Sequence, residues 1–187
     1  MSMMRRERLW ARAAVVAVLS ISGVAQTSQP KTAHTILLEV IRKSWNVERN
    51  ETLVYLRVYS DGLAEAHSTR EVDFRNIVLR NKEISASELE DARKLLIDPS
   101  IGALAKRYER YWGNKDFGYE YRVSNLASGR KQVVELENFQ PFAARKQNKP
   151  YPPQLEKLGC MIWKIRAEVT DEPLEKDWLR GCADLGY

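Results

Sequence analysis

The sequence predicts an α+β fold: an antiparallel sheet of about five or six strands, packed on one face by two helices and preceded by a cleaved signal peptide. Apolar residues alternate with polar ones in several short segments, as in half-buried strands. They recur at helical spacing in two longer segments, and turn dipeptides separate neighbouring strands. We therefore expect a signal peptide at 1–25, a flexible polar lead-in at 26–33 and a single α+β domain at 34–187.

The N-terminal segment has the three parts of a secretory signal peptide, in the expected order. Four arginines and one glutamate precede an apolar run at 13–25, which is shorter than the roughly 20 residues that a membrane-spanning helix needs. Gly23 and Ala25 supply the small side chains of a cleavage site. A buried first helix and a twin-arginine signal are the alternatives. We expect an exported chain, periplasmic or secreted, that begins at Gln26 and keeps no stable membrane anchor.

Charge and composition narrow the classes of partner and cofactor. The net charge is +5, but removing 1–25 takes away four arginines and one glutamate and leaves +2, which argues against a nucleic-acid partner. The nine glycines form no phosphate-binding loop. His34 and His67 have no metal-ligand spacing to each other or to a cysteine. We expect no metal and no other cofactor.

Cys160 and Cys182 are the only cysteines in the chain. An exported protein meets an oxidising compartment, where such a pair usually joins. We therefore predict one disulfide, and two buried free thiols are the alternative. Closing a loop of about 23 residues would stabilise the fold by roughly 3 kcal/mol in the chain-entropy model.

The first two strands are predicted at 35–45 and 52–60, where β-branched and apolar residues dominate. The polar stretch between them makes the pair a hairpin. The second strand alternates with a period of two. We expect Leu56 and Val58 on one of its faces and Leu53 and Tyr55 on the other.

A tight turn and a capped helix follow this hairpin. Asp61-Gly62 provides the turn into a strand at 63–68, and a further strand is predicted at 76–85. A helix is predicted from residue 86 to Pro99, with leucines and alanines at helical spacing. Either Ser85 or Ser87 can begin it, because a glutamate follows three residues after each serine.

The second half of the chain is predicted to contain another hairpin between helices. Leu104 and Tyr108 share a face of a short helix at 101–112, and the hairpin strands cover 116–125 and 131–139. A Pro-containing surface loop at 140–153 follows. The last long helix covers 154–169, and a short C-terminal helix from about residue 174 would bring the two cysteines together.

Catalytic motifs are not evident in the sequence. It contains neither the G-x-S-x-G turn of serine hydrolases nor the H-E-x-x-H helix of zinc peptidases. A pair of carboxylates would suffice for a glycan-active enzyme, and 24 acidic residues remain after position 25. We therefore expect a non-enzymatic binding domain, with a carboxylate-dependent glycan-active enzyme as one alternative.

The segment at 107–122 concentrates aromatic residues around a polar loop. Such rings are typical of carbohydrate platforms and of the dominant contacts in protein interfaces. The alternative is that they complete the core. With two cations of the following loop, the candidate binding residues for a protein or an envelope glycan are Tyr108, Tyr111, Trp112, Phe117, Tyr119, Arg145 and Lys146.

The order of elements between residues 52 and 165 resembles that of small exported bacterial proteins of unknown function. It is also similar to emfourin-type inhibitors of thermolysin-family metallopeptidases, whose α+β domain places an S-x-x-E-L helix between hairpins. Here that motif is Ser85-Ala86-Ser87-Glu88-Leu89, and the helix that it begins lies between the two predicted hairpins. The resemblance implies peptidase inhibition as a second alternative function.

Overall fold

The computed structural model describes residues 34–45, 50–68, 77–109, 118–146, 148–173 and 181–185. The predicted signal peptide and flexible lead-in lie outside these residues, as does the first part of the predicted C-terminal helix. Within the described ranges, no helix combines the length and the apolar character needed to cross a membrane.

The described residues contain a sheet of seven strands in the order β4-β3-β2-β1-β6-β7-β5. The strands are antiparallel to their neighbours except for β5, which runs parallel to β7. The α+β class is confirmed, whereas the expected sheet of five or six wholly antiparallel strands is wrong in number and in direction. The strands are β1 (Ile36–Trp45), β2 (Asn50–Tyr59), β3 (Leu63–His67), β4 (Leu79–Glu83), β5 (Arg107–Glu109), β6 (Gly118–Asn125) and β7 (Gln132–Glu137).

Two of the four helices in the described residues are the predicted ones, α1 (Ala86–Ile97) and α4 (Pro153–Thr170). The long helix α4 contacts β2, β3 and β4 as well as α1. Its apolar residues join those of the sheet in one buried core. The other two are short helices, α2 (Pro99–Gly102) and α3 (Pro141–Lys146). Helix α2 overlaps only the start of the predicted helix at 101–112, and α3 lies where a surface loop is predicted, at 140–153.

The described part of the predicted helix at 101–112 is not a single helix: its first two residues end α2, and Arg107–Glu109 form β5. Helix α2 ends at Gly102, and β5 then pairs with β7. The Glu135 N–H donates to the Lys106 carbonyl at 2.8 Å, so β7 supplies the backbone hydrogen bonds that a helix would have supplied internally. The apolar spacing at this position is compatible with both structures.

Strand β2 contains a bulge that breaks the expected alternation of faces. Val40 of β1 pairs with Leu56, and the next residue of β1 pairs with Val54, so Tyr55 has no partner on β1. Tyr55 and Leu56 are consequently both buried, as is Leu53. The expectation that Leu53 and Tyr55 lie on the face opposite Leu56 is therefore wrong.

Cys160 of α4 and Cys182 lie at disulfide distance, with the two Sγ atoms 2.11 Å apart and the two Cα atoms 5.5 Å apart. This is the pairing that the sequence predicts. Residues 181–183 form a helical turn. The disulfide therefore joins this turn to the middle of α4.

Helix α1 begins with a capping box. The Ser85 Oγ accepts a hydrogen bond from the Glu88 N–H at 3.2 Å, and a Glu88 carboxylate oxygen accepts one from the Ser85 N–H at 3.2 Å. Burial raises the pKa of the Glu88 carboxyl, but the hydrogen bonds from Ser85 outweigh it and lower that pKa overall. Of the two candidate caps, Ser85 is the one used.

We expect Ser85→Ala to lower the free energy of unfolding by about 1 kcal/mol at neutral pH. Because folding lowers the pKa of Glu88, its contribution is fully present above the usual pKa of glutamate and is lost as the pH falls from there through the lowered pKa of the folded state. Urea unfolding at neutral and acidic pH should therefore show a smaller difference between the variant and the wild type in acid. Ser87→Ala is the matched control, and an equal loss in both variants would contradict the cap.

Candidate functional site

Six aromatic side chains form a continuous series of ring contacts, here called the aromatic row. The row links β5, β6, α4 and the segments on either side of α3. The distances between ring centroids are 6.2 Å for Tyr119–Tyr121, 6.3 Å for Tyr121–Trp163, 5.3 Å for Trp163–Phe139, 4.7 Å for Phe139–Tyr151 and 6.3 Å for Tyr151–Tyr108.

Only one end of the aromatic row is open to solvent. The Tyr119 side chain is 38% exposed, whereas Tyr121, Phe139 and Tyr151 are buried. At the other end Tyr108 is half-buried, and its hydroxyl accepts a hydrogen bond from the Ala105 N–H at 3.0 Å. Of these two predicted binding residues, Tyr119 is available to a partner and Tyr108 chiefly completes the core.

The middle of the row is fixed by close packing against α4. A Cβ atom at Gly159 would collide with the Trp163 ring and lie 2.8 Å from a ring carbon of Phe139. The rings of Trp163 and Phe139 stack at an interplanar angle of 14°. Because only glycine leaves this space, residue 159 allows the row to approach the helix backbone.

Two arginines flank the Tyr55 ring, which contacts the row through Tyr121 at 5.0 Å. The guanidinium carbon of Arg166 lies 4.5 Å from the Tyr55 ring centroid, and that of Arg42 lies 5.9 Å from it. Burial raises the pKa of Tyr55 and of Tyr121, although the arginines oppose the shift. Both hydroxyls therefore stay protonated at neutral pH and can donate hydrogen bonds.

A buried donor and a buried acceptor share a face of the sheet with the exposed ring. The Arg42 Nε and a Glu51 carboxylate oxygen, Oε2, have no hydrogen-bond partner among the described residues. Ser44 of β1 pairs with both Tyr119 and Glu51, and Arg42 pairs with Tyr121. Residues at paired and alternate positions share a face of a sheet. We call Tyr119, Arg42 and Glu51 the open end of the row.

The predicted loop cation Arg145 is engaged within the protein. Its Nε donates to a Glu156 carboxylate oxygen at 2.9 Å, and its Nη2 forms an ion pair with the same carboxylate. Glu156 is only 4% exposed. The segment expected to be a surface loop is therefore packed here, because Arg145 neutralises a buried charge and Tyr151 belongs to the aromatic row.

The other predicted binding residues cannot be placed in this arrangement. Tyr111, Trp112 and Phe117 lie outside the described residues, and so does the side chain of Lys146. The sequence did not point to Arg42, Glu51 or Trp163. Strand register places Arg42 and Glu51 on the sheet face of Tyr119, and the packing of α4 places Trp163 in the row. Neither can be predicted from the local sequence pattern.

A groove of about 640 Å³ lies between α1 and α4, away from the open end. Several charged side chains line it, among them Glu88, Asp91 and Asp98. Hydrogen bonds from Ser100 lower the pKa of Asp98, and the pKa of Glu88 is also lowered. A glycosidase needs one carboxyl with a raised pKa as its acid, and these two carboxyls instead cap helices.

Within the described part of the chain, no group of three histidine, cysteine, aspartate or glutamate residues has the geometry of a metal site.

No protein-family model matches the sequence, and no curated protein matches it.

Proposed function

We propose that this chain is an exported binding domain without catalytic machinery and that its partner is a protein or a glycan of the cell envelope. The observation that supports this proposal is the open end of the aromatic row. There, an exposed ring shares a face of the sheet with a buried donor and a buried acceptor that have no partner among the described residues.

The chemistry of the open end suits a ligand with both flat and polar surfaces. The ring of Tyr119 offers an apolar face for a sugar ring or a peptide side chain. The Arg42 Nε and the Glu51 Oε2 offer one donor and one acceptor. A ligand that drew these two side chains outward and satisfied both atoms would remove the cost of leaving buried polar groups unpaired.

The packing behind Tyr119 favours binding because it limits the motion that a partner would have to arrest. Tyr119 contacts Tyr121, which is buried against Trp163 and Tyr55. The Tyr119 backbone N–H also donates to the Asn138 Oδ1 at 3.0 Å. An aromatic ring held in this way loses little conformational entropy on binding.

Export of the domain rests on the basic, apolar and small-residue order of the N-terminal segment. Peptidase inhibition and carboxylate-dependent glycan chemistry stay predictions from the sequence. We favour binding over glycan chemistry because the two helix-capping carboxyls of the groove have lowered pKa values, and the open end offers contacts for a partner.

We expect Tyr119→Ala to weaken partner capture at least tenfold, because a central aromatic contact contributes about 2 kcal/mol or more to binding. The purified chain, with its disulfide intact, would be immobilised and exposed to native envelope and secreted-fraction extracts. Proteins would be quantified by mass spectrometry, and co-sedimentation with purified envelope glycan would test the other partner class.

Leu79→Ala is the matched control, because Leu79 is 47% exposed and lies on β4, at the opposite edge of the sheet from β5. A partner that is retained by the control and lost with Tyr119→Ala would support the proposal. Equal retention by all three proteins, or retention by none, would contradict it.

A further inference from the structure

We propose that the groove between α1 and α4 is a second binding site, which accepts one amphipathic helix of a partner protein. The bound helix carries basic residues along the side that faces α1 and acidic residues along the side that faces α4. This surface is separate from the open end of the aromatic row, so the proposal adds a site to the binding function.

Apolar side chains form the floor of the groove. Ala92 and Leu95 of α1 contribute to it, and Met161 and Ile165 of α4 lie opposite, with Leu185 also in the lining. Leu95 and Leu185 are only half-buried and supply apolar contact area. A third helix laid over two neighbouring helices buries its apolar stripe in this way.

The two rims of the groove carry opposite charge. Asp91 and Asp98 line the α1 side, with Glu88 as a third acid and Lys94 as the one lysine that α1 adds to the lining. Lys157 and Lys164 line the α4 side. The α1 rim is therefore net negative, and the α4 rim is net positive.

The spacing of these charges matches a helical partner. Asp91 and Asp98 are seven residues apart, as are Lys157 and Lys164, and seven residues are about two helical turns. A partner helix with a heptad pattern would therefore meet both members of each pair. Hydrogen bonds from Ser85 and Ser100 are the main causes that lower the pKa values of Glu88 and Asp98, and Lys164 and Lys157 across the groove add a smaller lowering.

The test uses two synthetic helical peptides of about 18 residues, or five turns. Both carry a leucine stripe; the mixed peptide has lysines on one flank and glutamates on the other, and the basic peptide has lysines on both flanks. Fluorescence anisotropy measures the binding of each labelled peptide to the full chain. The wild type should prefer the mixed peptide.

Lys157→Glu combined with Lys164→Glu makes both rims acidic. We expect this double variant to bind the mixed peptide about tenfold more weakly and the basic peptide about tenfold more tightly than the wild type does. A gain of affinity for the basic peptide alone cannot result from misfolding, because exposed apolar surface would bind both leucine-striped peptides. Lys106→Glu combined with Lys131→Glu changes the net charge equally at exposed sites outside the groove lining, and it should leave the preference unchanged.

Three results would overturn the proposal: no measurable binding of either peptide to the wild type, no change of preference in the groove variant, or the same change in the control. Tyr119→Ala should bind the mixed peptide like the wild type. This comparison separates the groove from the open end, so one site can fail while the other stands.

Discussion

Replacing Arg166 with methionine is expected to lower the free energy of unfolding by about 3 to 5 kcal/mol. The Arg166 side chain is 6% exposed, and it joins three parts of the fold. Its Nη1 donates to the Glu172 carboxylate at 2.6 Å and its Nη2 donates to the His67 carbonyl at 3.0 Å. The same guanidinium packs on the Tyr55 ring. Methionine can fill the space, but it leaves the Glu172 charge uncompensated in a nearly buried position.

Urea unfolding measures this loss, and a double variant identifies its cause. Glu172→Gln in the Arg166→Met background removes the uncompensated charge and should recover part of the lost stability. The Ser68 hydroxyl, which donates to Glu172 at 2.8 Å, can still donate to the amide oxygen. A loss below about 1 kcal/mol in the single variant would contradict the role given to this buried ion pair.

Opening the Cys160–Cys182 disulfide should lower the free energy of unfolding by about 3 kcal/mol, because the bond closes a loop in the unfolded chain. Cys160 and Cys182 are 3% and 8% exposed, so a reductant reaches the bond chiefly when the chain opens. Guanidinium unfolding with and without reductant should show the difference as a shift in midpoint.

The control for this measurement is Cys160→Ala combined with Cys182→Ala, which should be destabilised to the same level and should not respond to reductant. Ellman's reagent added to the unfolded wild type should detect no free thiol before reduction. An unfolding midpoint that is unchanged by reductant in the wild type would contradict a stabilising disulfide.

The parts of the fold that follow from local pattern were predictable. The β1–β2 hairpin, the capped helix α1 and the long helix α4 each follow from a periodicity together with a turn or cap residue. The Cys160–Cys182 pair followed from the number of cysteines. The hairpin and the two helices depend on residues that are close together in the sequence, and the disulfide depends on there being only two cysteines.

The remaining parts depend on pairings between distant segments. β5 forms because β7 offers an edge to it, while its own apolar spacing also fits a helix. The bulge at Tyr55 depends on how β1 aligns with β2. Arg145 forms its ion pair with Glu156, which lies on another helix. The structural role of Arg145 could therefore not be predicted from the polar residues around it.

The same reasoning applies to the candidate site. Tyr119 was predicted from the density of aromatic residues, and the structure places it at the open end of the row. Arg42 and Glu51 lie next to it only through strand register. The charged rims of the groove were accessible in principle, because the seven-residue spacing on α1 and on α4 is visible in the sequence.

The strand order has a consequence for how the chain folds during synthesis. β1 lies at the centre of the sheet, yet of its two neighbours β2 is made at once and β6 is made only after β3, β4, α1 and β5. A nascent chain can therefore build one half of the sheet while the other side of β1 is an unpaired edge. Such edges favour pairing between molecules. The arrival of β6 is the step that covers this edge and ends its exposure.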